Sequence, residues 1–219
     1  MPFFKDVDDV KNNNILFIHI PKTGGTSIET YFMKKSKSDS KESLISHIDT
    51  NFMNLGKSPQ HLEFKTIKEN ANSLNIDFNS LTKIITVVRN PYTRIISELF
   101  WNKSINEKTS HQEVYNILLN IFKNFKDNEN IYDNHIRPQY QYLMENQRNI
   151  NKQIIILRNE KLNEMMHKIG YVDFNEREQI RSIPHINYFK YLNLKSIGLI
   201  NKFYKNDFLC FGYRMISKM

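Results

Sequence analysis

The sequence has little that would cross-link the chain or fix it in a membrane. Its single cysteine, Cys210, excludes an internal disulfide bond, as is usual for proteins of a reducing compartment. No apolar run approaches the ~20 residues that a membrane-spanning helix requires. The first ten residues include four charged side chains, too many for a signal peptide. We therefore expect a soluble, cytoplasmic protein without a transmembrane segment.

Glycine and proline are also scarce, with six of each in 219 residues, and the sequence has no internal repeat. Hydrophobic residues make up 40% of the chain and charged residues 25%, which is ordinary for a globular protein. This length predicts a single domain over residues 1–219. The net charge of +8 suits an anionic ligand. Charge alone does not distinguish a nucleotide, a sulfated glycan and a nucleic acid.

The most informative segment is Ile15–Ser27, in which an apolar run is followed at once by a glycine pair and a helix start. Ile15–Ile20 is apolar and β-branched, as in a buried strand. The glycines let backbone approach a phosphate closely. Thr26 and Glu29 have the spacing of a helix capping box. A helix N-terminus attracts anions and Lys22 adds a positive charge, so the segment predicts a phosphate-binding loop.

Three strand-then-helix units predict the fold. They are Ile15–Ile20 with Thr26–Lys35, Lys83–Val88 with Pro91–Trp101, and Gln153–Leu157 with Glu160–Ile169. A further helical pattern covers Gln112–Asn124. Strands that alternate with helices form a parallel sheet covered by helices. Ligands of such sheets bind at the carboxyl ends of the strands.

A second motif, Arg89-Asn90-Pro91, follows the second predicted strand. Asn90 is a good helix N-cap, and Pro91 suits the first helical position. An anion beside Arg89 would therefore meet both a guanidinium and free backbone N–H groups. Arg94 and Ser97 follow at a spacing that places them on one face of the helix.

Together, the two motifs resemble those of sulfotransferases that use 3′-phosphoadenosine 5′-phosphosulfate (PAPS). The order Pro-Lys-Thr-Gly-Gly-Thr-Ser at 21–27 is similar to their 5′-phosphosulfate loop, and Val-Arg-Asn-Pro-x-x-Arg-x-x-Ser at 88–97 to their 3′-phosphate motif. Segments 135–139, 156–162 and 200–213 look like parts of the carbohydrate group that includes heparan sulfate 2-O-sulfotransferases. The resemblance implies an α/β, P-loop-like three-layer sandwich with a central, mostly parallel sheet.

The resemblance also implies the reaction. A sulfuryl group would pass from PAPS to a hydroxyl of a glycan or glycoconjugate, leaving 3′,5′-ADP (PAP), with no metal ion and no nucleic-acid partner. Lys22 would stabilise the charge on the departing phosphate. The loop residues that would hold the 5′-phosphate are Lys22, Thr23, Gly24, Gly25, Thr26 and Ser27. Arg89 and Ser97 would hold the 3′-phosphate.

The acceptor hydroxyl needs a general base with a pKa near neutrality, which favours histidine. His61 lies between the two cofactor motifs, where glycan 2-O-sulfotransferases have their catalytic histidine, and we expect it to be the base, near the start of a short helix. His135 is the alternative base, and with Arg137 it is a candidate for contact with the acceptor. We expect a structural role for His19 and helix capping for Glu29. Four further histidines have no chemical context: His47, His111, His167 and His185.

Two other functions stay open on the residues alone. A nucleoside-triphosphate enzyme of the P-loop type would carry its lysine after the last glycine, whereas Lys22 precedes both, and no aspartate for Mg²⁺ is evident at a strand end. A non-catalytic protein that binds polyanions would use the net charge of +8. Its binding would weaken steeply with salt.

Overall fold

The computed structural model describes residues 3–36, 58–129, 131–146, 149–176 and 187–217. These ranges contain four strands: β1 Phe3–Phe4, β2 Asn14–Ile18, β3 Leu81–Val88 and β4 Ile154–Arg158. They also contain seven α-helices: α1 Gly25–Lys35, α2 Phe64–Glu69, α3 Pro91–Trp101, α4 His111–Asp127, α5 Leu162–Lys168, α6 Leu194–Phe203 and α7 Lys205–Phe211. None of these helices combines the length and the apolar character needed to cross a membrane.

The strands form one sheet in the order β1-β2-β3-β4. The pairs β2–β3 and β3–β4 are parallel, and only β1 runs antiparallel to its neighbour. All three predicted strand–helix units are present, and their ends differ from the predicted ones by two residues or fewer. The prediction of an α/β fold with a central, mostly parallel sheet is confirmed.

Both faces of the sheet are covered, because alternate residues of each strand point to opposite sides. In β2, Ile15 and Phe17 pack with α1 and α5, whereas Leu16 and Ile18 pack with α2 and the end of α7. All four side chains are fully buried. A second hydrophobic core joins α3, α4, α6 and α7. It packs α3, which carries most of the second motif, against α4, α6 and α7.

The predicted capping box at the start of α1 is wrong. The helix begins at Gly25, its N-cap is Gly24 in the left-handed region at φ +93°, and no side chain caps it. Glycine adopts this backbone conformation without steric cost, so the helix starts early and Thr26 is already inside its first turn. Glu29 is therefore too far along the helix to cap it, and it accepts a hydrogen bond from His19 instead (Nδ1–Oε1 2.5 Å).

Candidate active site

The carboxyl ends of the three parallel strands meet at one edge of the sheet. The loop after β2 contacts the residue after β3, since Arg89 donates from Nη1 to the carbonyl of Lys22 (3.2 Å). The segment after β4 is joined to the same place, because the backbone N–H of Asn90 donates to Oε1 of Glu160 (2.7 Å). The two cofactor motifs predicted from the sequence therefore lie side by side.

The glycine turn before α1 leaves no room for side chains. A Cβ on Gly24 would lie 2.6 Å from Nδ2 of Asn159, and one on Gly25 would lie 2.8 Å from Nε2 of His19. Thr23 stabilises the turn, because its buried hydroxyl donates a hydrogen bond to the carbonyl of Ile20 (2.8 Å). The turn is thus a tight stretch of backbone that leads directly into a helix N-terminus.

Ser27 is the unusual residue of this loop. Its side chain is completely buried, and its hydroxyl has no hydrogen-bond partner in the parts of the chain that the structure describes. An unpartnered buried hydroxyl costs about 1–3 kcal/mol of stability. The hydroxyl lies in the first turn of α1, where backbone N–H groups also lack helical partners. Both kinds of donor suit an anion.

Lys22 stands at the edge of this turn. Its Nζ lies 5.1 Å from the ring centre of Trp101, the last residue of α3. Burial lowers the pKa of Lys22; the nearby Glu98 carboxylate opposes this shift, and the charge of Arg89 adds to it. The ammonium is therefore partly desolvated, so an anion placed beside it would be attracted strongly.

The guanidinium of Arg89 contacts Thr93 and Tyr188, in addition to the carbonyl of Lys22. Its Nε donates to Oγ1 of Thr93 (3.1 Å), and its guanidinium lies over the ring of Tyr188 (4.8 Å to the centroid). Ser97 follows Thr93 by four residues on α3, so the two hydroxyls share a helix face. Sequence reasoning missed Thr93, although its spacing of four from both Arg89 and Ser97 is a usable signal.

Three histidines stand in a row beside the loop. The ring centroids of His19 and His61 are 5.5 Å apart, and those of His61 and His135 are 4.8 Å apart, with edge-to-face geometry in both pairs. Each ring donates from Nδ1 to a carboxylate: His61 to Asp133 (2.8 Å), His135 to Glu98 (2.7 Å) and His19 to Glu29. The carboxylates fix the orientation of the imidazoles and leave Nε2 as the basic atom.

The surroundings of His61 shift its pKa. Burial lowers its pKa, the hydrogen bond and charge of Asp133 oppose the shift, and the imidazoles of His19 and His135 add to it. The neutral, basic form of His61 is therefore favoured at neutral pH. The residue ends a short 3-10 helix, Pro59–His61, just before α2, as the sequence predicted, but burial is the largest cause of the shift.

Two arginines tie these segments together. Arg94 is buried and donates to the carbonyls of Pro21 (3.0 Å), His135 (2.9 Å) and Arg137 (3.0 Å), so one guanidinium joins the glycine loop to the segment of His135. The guanidinium of Arg137 lies 3.0 Å from a carboxylate oxygen of Glu63. The structure places Arg137 near the histidines, in a buried ion pair.

The C-terminal segment is hydrogen-bonded to residues 136–140, which follow His135 in the chain. The carboxylate of Asp207 accepts from the backbone N–H groups of Gln139 and Tyr140 (2.9 Å each). Burial raises the pKa of Asp207 to about 6, although these hydrogen bonds oppose the shift. The hydroxyl of Tyr204 donates to the carbonyl of Ile136 (2.8 Å). Residues 204–207 thus position segment 135–140, which the sequence alone did not indicate.

One group of side chains has the composition of a metal site. Ligand atoms of His61, Asp133 and His135 lie within 4.8 Å of one another. His61 and Asp133 are joined by a hydrogen bond of 2.8 Å between Nδ1 and Oδ2. Of the remaining histidines, His111 and His167 bond backbone carbonyls, and His47 and His185 lie outside the described residues.

Comparison with known proteins places this geometry in a family. The model of the family described as "Sulfotransferase family" matches residues 5–214, which is nearly the whole chain. No match to the chain was found among curated proteins or among solved structures. The family match spans both strand-end loops, the three histidines and the C-terminal support. This chain belongs to the sulfotransferase family.

Proposed function

We propose that the protein transfers a sulfuryl group from PAPS to a hydroxyl of a carbohydrate acceptor. Membership of the sulfotransferase family supports sulfuryl transfer. The observation that carries the choice of donor is the buried hydroxyl of Ser27, which lacks a partner among the described residues and lies behind the glycine turn. A phosphate at this turn would accept from that hydroxyl and from the N-terminal N–H groups of α1.

The residues around the turn fit both phosphates of such a donor. Lys22 and the turn 23–27 would hold the 5′-phosphosulfate end. Arg89, with its guanidinium already directed by Thr93, would hold the 3′-phosphate together with Ser97. Two groups of donors, one at the glycine turn and one at Arg89, suit a ligand with anionic groups at both its 5′ and its 3′ position, whereas ATP carries phosphates at the 5′ position alone.

The chain's own residues supply positioning and charge for the transfer. PAPS, when bound, supplies the sulfuryl group and leaves as PAP. Lys22 would stabilise the negative charge that develops on the leaving phosphate oxygen, an effect that is strong in a partly desolvated site. Nε2 of His61 would take the proton of the attacking hydroxyl, while Asp133 holds the ring and stabilises the imidazolium that forms.

The first experiment tests the donor. PAP should raise the melting temperature of the protein in the presence of EDTA, because a ligand of the native state stabilises it by mass action. ATP lacks the 3′-phosphate and should stabilise less. Arg89→Ala should weaken PAP binding by about thirtyfold, the worth of about 2 kcal/mol in a charge-assisted contact.

Lys168→Ala is the matched control for a lost positive charge. Lys168 is exposed at the far end of α5, where it pairs with Glu164, so its loss should leave PAP binding unchanged. Equal stabilisation by ATP and PAP, or equal losses in both variants, would contradict the assignment of the 3′-phosphate to Arg89.

A further inference from the structure

The chain contains a single tryptophan, and it is exposed at the candidate active site. Trp101 ends α3 with 60% of its surface accessible to solvent. Tryptophan is highly buried on average, so an indole that is open to solvent beside these groups is accessible to a ligand. The hydrophobic core of α3 does not use it, since its buried members are other residues of the helix.

Two functional side chains contact the indole. The ring of His135 is stacked on it, with centroids 4.7 Å apart and an angle of 23° between the planes. The ammonium of Lys22 lies 5.1 Å from its centre. Trp101 therefore connects the cation proposed for the leaving group with the row of histidines that holds the proposed base.

We propose that the exposed part of the Trp101 indole, outside its contacts with His135 and Lys22, is the stacking platform of the acceptor subsite, on which the apolar face of a sugar ring packs. The inference rests on the proposed function and adds the residue that selects the class of acceptor. A ring lying on the indole would be next to the histidines, so its hydroxyls would reach hydrogen-bonding nitrogens while its C–H face covers the exposed aromatic surface.

The surroundings of the indole favour a sugar over an aromatic acceptor. His61 and His135 both direct Nδ1 to a carboxylate, and within the described ranges their Nε2 atoms have no hydrogen-bond partner. Two open imidazole nitrogens suit an acceptor that carries several hydroxyls. A phenol would offer one hydroxyl and leave the second nitrogen unpartnered.

Transfer kinetics provide the first test. We would use PAPS with cellohexaose, chitohexaose and a hexasaccharide of alternating glucuronic acid and N-acetylglucosamine as sugar probes, and 2-naphthol as the aromatic probe. Trp101→Ala should raise KM for the best sugar probe about tenfold, the size of a lost aromatic contact, and Trp101→Phe should raise it less. The affinity for PAP should change less than threefold. Val172→Ala, which removes another exposed apolar side chain, should change nothing.

Fluorescence provides a test that does not depend on turnover. Since Trp101 is the only tryptophan, the emission of the PAP-saturated protein reports on this ring alone. A sugar that covers the indole should shift its emission to shorter wavelength and saturate with concentration. Because fluorescence reports binding, this test of Trp101 remains valid even if no probe is sulfated. Failure of PAP to stabilise the protein is a different result, and it would count against the proposed function itself.

Three results would overturn the platform. The first is an unchanged KM in Trp101→Ala together with a lower kcat or weaker PAP binding, which would limit Trp101 to positioning Lys22. The second is a KM effect with 2-naphthol and none with the sugars, which would make the acceptor class aromatic. The third is an emission spectrum that no sugar probe alters at millimolar concentration.

Discussion

Replacing His61 with alanine tests the chemistry of the site most directly. A general base contributes about 10²–10⁴ in rate, which corresponds to about 2.7–5.5 kcal/mol in the activation barrier. His61 is buried, held by Asp133 at 2.8 Å and open at Nε2, so it is already oriented. We therefore expect His61→Ala to lower kcat by about 10³ while PAP still stabilises the protein.

The pH dependence of kcat/KM, which reports the groups of the free enzyme, tests the direction of the pKa shift of His61. The base is active when neutral, so the rate should rise with pH through the pKa of His61. Because burial lowers that pKa, the acidic limb should lie below the ordinary histidine value of about 6.5. Asp133→Asn removes the group that opposes the shift, so the limb should move to lower pH while kcat falls.

His135→Ala is the variant with which His61→Ala should be compared, because His135 is the alternative base. The imidazole of His135 lowers the pKa of His61, so its removal should move the acidic limb to higher pH and leave the limb present. The assay is transfer of labelled sulfate from PAPS between pH 4.5 and 8, with melting temperatures to confirm folding. The reasoning fails if His61→Ala keeps the wild-type rate and limb, and loss of the limb in His135→Ala instead would assign the base to that residue.

Three further predictions concern the surroundings of the base. Lys22→Ala should lower kcat far more than the affinity for PAP, measured by turnover and thermal shift, because its charge acts mainly on the breaking bond; turnover within a few-fold of wild type would contradict this. Gly25→Ala should destabilise the protein by about 1–3 kcal/mol in urea denaturation, because its Cβ would lie 2.8 Å from Nε2 of His19. Gly198→Ala in α6 is the control: its Cβ would have no heavy atom within 4 Å, so we expect it to stabilise the protein by up to about 1 kcal/mol. Asp207→Asn should cost about 1–3 kcal/mol in the same assay, because an amide cannot accept from both backbone N–H groups that the carboxylate binds; an unchanged midpoint would show that these hydrogen bonds contribute nothing.

Local features of the site were predictable because their determinants are contiguous. The apolar run of β2, the two glycines and the start of α1 lie within a dozen residues, and short-range backbone preferences decide them. The helix after Arg89 begins and ends as predicted, since Asn90 caps it through a hydrogen bond to the N–H of Tyr92 (3.0 Å). The capping box failed because the left-handed backbone conformation of Gly24 makes it the N-cap, two residues before Thr26.

The sequence by itself determined the α/β alternation, the glycine turn before α1 and the family, because each depends on residues close together in the chain. Only the tertiary structure decided the partners of the reactive groups. Asp133 is 72 residues from His61, and Glu98 is 37 residues from His135. No local pattern encodes such pairs, since the partners lie on separate helices and loops that only tertiary packing brings together. The same packing places Trp101, the last residue of α3, against His135 and Lys22.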